Sequence, residues 1–279
     1  SGSKSYDGNN IVSNSSISTF NNLVSGESLT ITGSGTISSG AVGSNKTISL
    51  GTLTLANGSG AASNYNLSGG TISVTERVIN LSGSKTYNGT TSITTSDINT
   101  FGNIVTGETL SLSGSGSVSS SAAENNKTLI LGTIALSDGS GSVSNYTLSS
   151  GSHQVNITRR SVNLNGTRVY DGSTDASATD LTTIGNLVSG ETLNLSGTGA
   201  LASAAVGSDK SVNIGTLALS DGSGESDNYT LSGGTLLLDV TQKDISLSGS
   251  KVYDGTNVSN SGSFSTFSGL IGSETLSVS

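Results

Sequence analysis

One six-residue pattern returns four times along this chain at nearly constant spacing. It reads Lys4-Ser5-Tyr6-Asp7-Gly8-Asn9, then Lys85-Thr86-Tyr87-Asn88-Gly89-Thr90, then Arg168-Val169-Tyr170-Asp171-Gly172-Ser173, and finally Lys251-Val252-Tyr253-Asp254-Gly255-Thr256. The tyrosines lie 81, 83 and 83 residues apart. A step that long is neither a heptad nor a short solenoid rung, so the repeating object is a domain-sized unit. Other markers keep the same register within each unit. A Glu follows the Tyr at +21 (Glu27, Glu108, Glu191; Glu274 likewise), and a Lys at +40 (Lys46, Lys127, Lys210). A second Tyr, preceded by Asn, follows at +59 (Tyr65, Tyr146, Tyr229), and an apolar residue stands at +14 (Phe20, Phe101, Ile184, Phe267). The units implied are 1–77 (its first strand expected to be missing), 78–160, 161–243 and an incomplete fourth at 244–279, which is too short to close a core. The sequence therefore reads as a window on a longer array.

Between the markers, apolar residues alternate with polar ones. Leu29 and Ile31, Ile48 and Leu50, Leu53 and Leu55, Ile72 and Val74, and Ile79 and Leu81 each skip one position. Period two means strands with one face buried and one wet. Connectors such as Thr32-Gly33-Ser34-Gly35 and Asp138-Gly139-Ser140-Gly141 have turn chemistry. One short helical turn is expected over Ser96–Phe101, capped by Ser96 or Asp97. The pattern gives seven or eight short strands per unit. The expected fold is all-β: tandem antiparallel β-sandwich-like domains of about 82 residues in an elongated rod. A continuous β-solenoid is the alternative, because the markers at +21, +40 and +59 are spaced about one rung apart. No Pro or Gly-Ser hinge separates the units, and Val74–Leu81 runs from one into the next almost unbroken, which favours stiff stacking.

Composition narrows the function. The net charge of −8 disfavours nucleic acid and anionic membrane surfaces as partners. There is no Cys, hence no disulfide or thiolate metal site. No run reaches the roughly 18 apolar residues of a membrane helix, so no membrane insertion is expected. The first residues lack a signal-peptide pattern. The only His, His153, has no counterpart in the other units, so no repeated catalytic set can be assembled and no enzyme activity is expected. The Gly-x-Gly matches lie between strands rather than ahead of a helix, which fails the context of a phosphate loop.

Four ordered copies of Lys-x-Tyr-Asp-Gly-Thr, followed by Gly190-Glu191-Thr192-Leu193, Asp221-Gly222-Ser223-Gly224 and Asn228-Tyr229-Thr230-Leu231, resemble the YDG repeats of large bacterial surface adhesins. Those repeats occur in filamentous-haemagglutinin-like proteins exported by two-partner secretion and in biofilm matrix adhesins. The resemblance covers essentially the whole chain and implies a secreted, cell-surface stalk of all-β modules. Asn88 and Arg168 depart from the pattern, so a charge at the Asp position is not obligatory.

Each candidate group has a structural and a chemical reading. Tyr6-Asp7-Gly8, Tyr87-Asn88-Gly89, Tyr170-Asp171-Gly172 and Tyr253-Asp254-Gly255 suit a turn in which Gly takes positive φ and Asp or Asn bonds the backbone. As calcium sites they lack the six to eight oxygens that ion needs, so no metal and no cofactor is expected. Tyr65, Tyr146 and Tyr229 are read as structural. Glu27, Lys46 and Asn64, repeated as Glu108, Lys127, Asn145 and as Glu191, Lys210, Asn228, have the residue types of a self-formed isopeptide crosslink, whose nucleophile must be a desolvated, neutral Lys. Ordinary turn and cap roles are the preferred reading of that set. Asn45-Lys46-Thr47, Asn126-Lys127-Thr128, Asn145-Tyr146-Thr147 and Asn228-Tyr229-Thr230 match the glycosylation sequon, as chance alone allows in so Asn- and Thr-rich a chain. The expected role is a structural stalk, with further copies of the repeat as partners and extracellular polysaccharide or lateral self-association as additional ones. The rival role is a glycan- or protein-binding module gaining avidity from repetition. Buried tyrosines favour the spacer; an exposed aromatic row favours the binder.

Overall fold

The computed structural model describes residues 1–278. It divides into two compact units, one of Ser1–Lys85 with Thr90–Ile157 and one of Thr86–Gly89 with Thr158–Ser279. Within them the chain folds as tandem all-β, sandwich-like repeats whose helical content is confined to three-residue 3₁₀ turns. The second repeat shows the plan in full. Its strands are Arg77–Val78, Asn80–Thr86, Ser92–Thr94, Ile98–Gly102, Leu110–Ser113, Ser115–Ser117, Glu124–Thr128, Ala135–Asp138, Tyr146–Thr147 and His153–Thr158. These ten exceed the seven or eight expected, because two-residue ladders such as Arg77–Val78 are too short for period two to reveal.

Most ladders are antiparallel: Ser92–Thr94 on Ser115–Ser117, Leu110–Ser113 on Ala135–Asp138, and Glu124–Thr128 on His153–Thr158. The expectation of purely antiparallel pairing needs one correction. The first and last strands of a repeat run parallel, as Gly2–Ser5 with Thr71–Thr75 and Asn163–Val169 with Leu236–Thr241. Hydropathy alternation is blind to strand direction, so the sequence could not show this. Parallel pairing puts chain entry and chain exit at opposite ends of each repeat. In the first repeat Gly2–Ser5 forms a strand, the counterpart of residues 83–86 in the second. Each of these ladders joins residues of a single repeat.

The alternating apolar residues supply the cores. Ile72, Val74, Ile79, Leu81, Ile93, Val155, Ile157, Leu164 and Leu238 are almost completely buried. The expected helical turn forms one position early, over Thr95–Asp97. Thr94 is its cap and Asp97 returns the bond to the Thr94 N–H, after which Ile98–Gly102 continues as a strand. Asn45, Asn126 and Asp209 take positive φ in bulges of the strand that leads into the +40 Lys, a conformation that Asn and Asp tolerate best. Their side-chain type thus has a backbone cause. The sequons at Asn145 and Asn228 lie on buried asparagines, closed to a glycan.

Candidate functional site: a tyrosine–glutamate clasp between repeats

The Lys-x-Tyr-Asp-Gly motif builds a turn from local bonds. Lys85 Nζ donates to the Thr90 and Ser92 carbonyls at 2.7 and 2.8 Å, and Lys4 Nζ reaches the Asn9 and Ile11 carbonyls in the same way. Asp7 adds an ion pair to Lys4 at 2.7 Å. An ammonium with three donors fits this ring of acceptors. Burial lowers the Lys85 pKa, against the attraction of Asp97. Arg168 keeps the carbonyl contacts, to Ser173 and Asp175, but leaves its Nε buried without a partner.

What the turn presents is its tyrosine, and the partner comes from the next repeat. Tyr6 Oη donates to Glu108 Oε1 at 2.5 Å, while Glu108 Oε2 accepts from Tyr146 Oη at 2.6 Å. The two rings meet edge to face, centroids 5.4 Å apart at 82°. The same group recurs as Tyr87, Glu191 and Tyr229, with bonds of 2.7 and 2.6 Å and rings again 5.4 Å apart. A part-buried carboxylate taking two phenolic O–H donors makes charge-assisted bonds, among the stronger neutral-to-ion contacts in proteins. Both tyrosines hold their protons more firmly as a result. Tyr6 is pushed up to about 12, first by its bond to Glu108 and then by burial. Tyr146 is also pushed up to about 12, first by burial and then by the Glu108 bond.

Local geometry aims the carboxylate. Glu108 closes a turn with its N–H on the Val105 carbonyl, and Gly107 occupies the positive-φ corner. The Thr109 and Ser140 N–H and hydroxyl groups bond reciprocally at 2.9 and 3.0 Å, pinning the Asp138–Gly141 connector over that turn. A Cβ at Gly141 would lie 2.5 Å from Glu108 Oε2, so the last Gly of Asp-Gly-Ser-Gly is fixed by the carboxylate it covers. The motif glycine is fixed twice. Gly8 has φ +78, and a Cβ there would meet Val105 of the next repeat at 2.8 Å.

Two further groups belong to this junction: Arg77, which sequence reasoning passed over, and Asn145, which it had grouped with Glu108 and Lys127. Arg77 Nη1 donates to the Tyr6 carbonyl at 3.2 Å, while its Nε and Nη2 hold the Asn103 carbonyl and side chain. Asn145 Oδ1 accepts the Val42 N–H at 2.9 Å. The recurrence of Arg at Arg160, 83 residues after Arg77 and likewise bonded to an Asn (Asn186), was the available signal.

The Glu, Lys and Asn of the crosslink reading have separate partners. In the second repeat Glu108 holds tyrosines, Lys127 pairs with Glu124 at 2.7 Å and Asn145 faces Val42. In the first, Glu27 accepts from Tyr65 at 2.5 Å, Lys46 reaches the Ser39 carbonyl at 3.2 Å and Asn64 is exposed. In the third, Glu191 is in the clasp and Lys210 bonds the Ser203 carbonyl at 2.6 Å. Among the described residues no hydrogen bond joins Glu108, Lys127 and Asn145 to one another. His153 is a buried core residue: its Nδ1 accepts the Leu81 N–H at 3.2 Å and its Nε2 lies 2.9 Å from the Leu148 carbonyl. The motif tyrosines differ sharply in exposure, from 7% at Tyr6 and 5% at Tyr87 to 90% at Tyr253.

Fold and site together define a class: an all-β tandem-repeat protein whose successive repeats are joined by a carboxylate gripped between two tyrosines. The family model of the YDG domain matches residues 1–74, 71–154 and 153–236, and the chain belongs to that family. No curated protein and no solved structure matched it.

Proposed function

We propose that this chain is a run of structural spacer repeats in a secreted bacterial surface adhesin, serving adhesion, aggregation or biofilm formation without catalysis of its own. The carrying observation is the recurrent clasp, in which Glu108 binds the motif tyrosine of the preceding repeat and the second tyrosine of its own. A tyrosine placed for ligand recognition is exposed, whereas Tyr6, Tyr87, Tyr146 and Tyr229 are enclosed by neighbouring protein. Parallel pairing of first and last strands supports the same reading, since a repeat entered at one end and left at the other can be pulled along its length. Secretion and surface location rest on the resemblance to adhesin repeats.

Extension of single chains under force tests the proposal. A spacer unfolds in regular steps, each releasing at most about 290 Å for an 82-residue repeat at full extension. Collapse at negligible force, or one irregular release, rejects the spacer role.

A further inference from the structure

In the third repeat the first strand, Asn163–Val169, and the last, Leu236–Thr241, lie side by side and parallel over six residue pairs, from Leu164 on Leu236 to Val169 on Thr241. Neither stands at an edge of the sheet: Thr183–Gly185 flanks the first and Gly207–Asn213 flanks the last. Parallel strands bring their N-terminal ends together and their C-terminal ends together. Tension arriving from the chain before the repeat pulls the first strand toward its N-terminus. Tension from the chain after it pulls the last strand toward its C-terminus. The two pulls are opposed along one ladder, so they slide the strands past each other and strain all six pairs at once. Side chains resist that sliding. Leu164, Leu238 and Val240 are almost completely buried, and a slip of one residue would turn them to the opposite face.

The motif turn closes the exit end of this ladder. The Tyr170 N–H donates to the Thr241 carbonyl at 2.9 Å, as Tyr87 does to Thr158 at 2.8 Å and Tyr6 to Thr75 at 2.9 Å. Those threonines recur 83 residues apart. Thr241 and Thr75 also donate their hydroxyls to the carbonyls of the motif cations Arg168 and Lys4, at 3.2 and 3.4 Å. The backbone of Tyr87 thus holds the last strand of its own repeat while its hydroxyl holds Glu191 of the next. We propose that the paired first and last strands are a shear clamp that bears tension along the chain, with the backbone of the Tyr-Asp-Gly turn locking its exit end. The inference rests on the spacer reading, which supplies the pull. A ladder drawn apart from one end loses its pairs in turn, whereas a sheared ladder must lose them together. Forced opening is governed by the unfolding rate, so the sheared repeat yields only at higher force.

The direction of pulling tests this. The chain contains no Cys, so paired Cys substitutions supply unique handles for single-molecule extension of the whole chain. Arg159→Cys with Lys243→Cys loads the ladder of the third repeat in shear. Thr174→Cys with Lys243→Cys draws the same two strands apart from the exit end. All three positions are exposed, and circular dichroism checks that both variants fold. At equal loading rate the shear pull is expected to need about twice the force of the peeling pull or more, because six pairs resist together rather than in turn. A smaller ratio, or a peeling force equal to the shear force, overturns the clamp. The spacer role is judged separately. A chain that releases its repeats in regular steps but gives equal forces in the two directions keeps the spacer and loses the clamp, whereas collapse of the whole chain at negligible force overturns both.

Discussion

The turns at Tyr6 and Tyr253 are chemically the same object in different surroundings. Each has a Lys bonded to the carbonyls five and seven residues ahead and to the motif Asp, and each has a Gly at positive φ. Yet Tyr6 is 7% exposed and Tyr253 is 90% exposed. Tyr170 stands between them: it donates to Glu274 but has no second ring against it, and it is half-buried. The turn is thus a local product that forms with or without a partner. Burial of its tyrosine comes from the following repeat, whose Glu, second Tyr and Val must all arrive. In an array of this sort, stability is a sum of repeat terms and nearest-neighbour interface terms, and the clasp belongs to the second kind.

The largest break in the comparison should come from the glycine. Gly8→Val imposes a β-branched residue at positive φ and drives its Cβ into Val105; a loss of about 3 kcal/mol or more is expected in chemical denaturation. Gly255→Val carries only the backbone strain, because nothing stands near it. A loss at Gly255 equal to that at Gly8 would show that packing between repeats contributes nothing. Next comes Glu108→Ala, which leaves two enclosed phenolic O–H donors without their acceptor and should cost about 2–3 kcal/mol. Glu27→Ala, which strands only the half-exposed Tyr65, should cost clearly less by the same measurement.

High pH addresses the clasp without mutation. Tyr6 and Tyr146 are raised from 10.0 to about 12 in the folded chain. A phenol that binds its proton more tightly when folded contributes stability that is complete below pH 10 and disappears as pH climbs through about 12. Alkaline unfolding monitored by circular dichroism should therefore set in between those values, and Glu108→Gln should move it to lower pH. Smaller still, Tyr87→Phe should lose about 1–2 kcal/mol through the loss of the donor to Glu191 Oε1, while Tyr253→Phe should leave thermal stability of the single chain unchanged. The smallest expected effect is Arg168→Lys. It removes the orphaned Nε and restores the residue used in the other three motifs, so the melting temperature should hold or rise slightly.

Much of the fold was legible in the residues. Alternation at Leu29 and Ile31 and at Ile72 and Val74 correctly marked half-buried strands, since side-chain period follows from strand geometry itself. The Tyr-Asp-Gly turn could be read for the same reason: its bonds span seven residues or fewer. The partner of the tyrosine could not. Glu27, Glu108 and Glu191 were visible as a fixed marker, but spacing along the chain grouped them with Lys46, Lys127 and Lys210, whereas folding gave them tyrosines. Offsets of +21 and +40 say that residues recur together, not that they touch.

The chain's own sequence determined the repeat length, the all-β character, the turn with its capping Lys, and the alternation that builds each core. These depend on backbone preferences and on neighbours a few residues away. Tertiary structure alone decided that first and last strands run parallel and that Glu108 reaches back 102 residues to Tyr6. A hydrogen bond across such a separation depends on where two turns land in space, and that position is set by packing the residues between them.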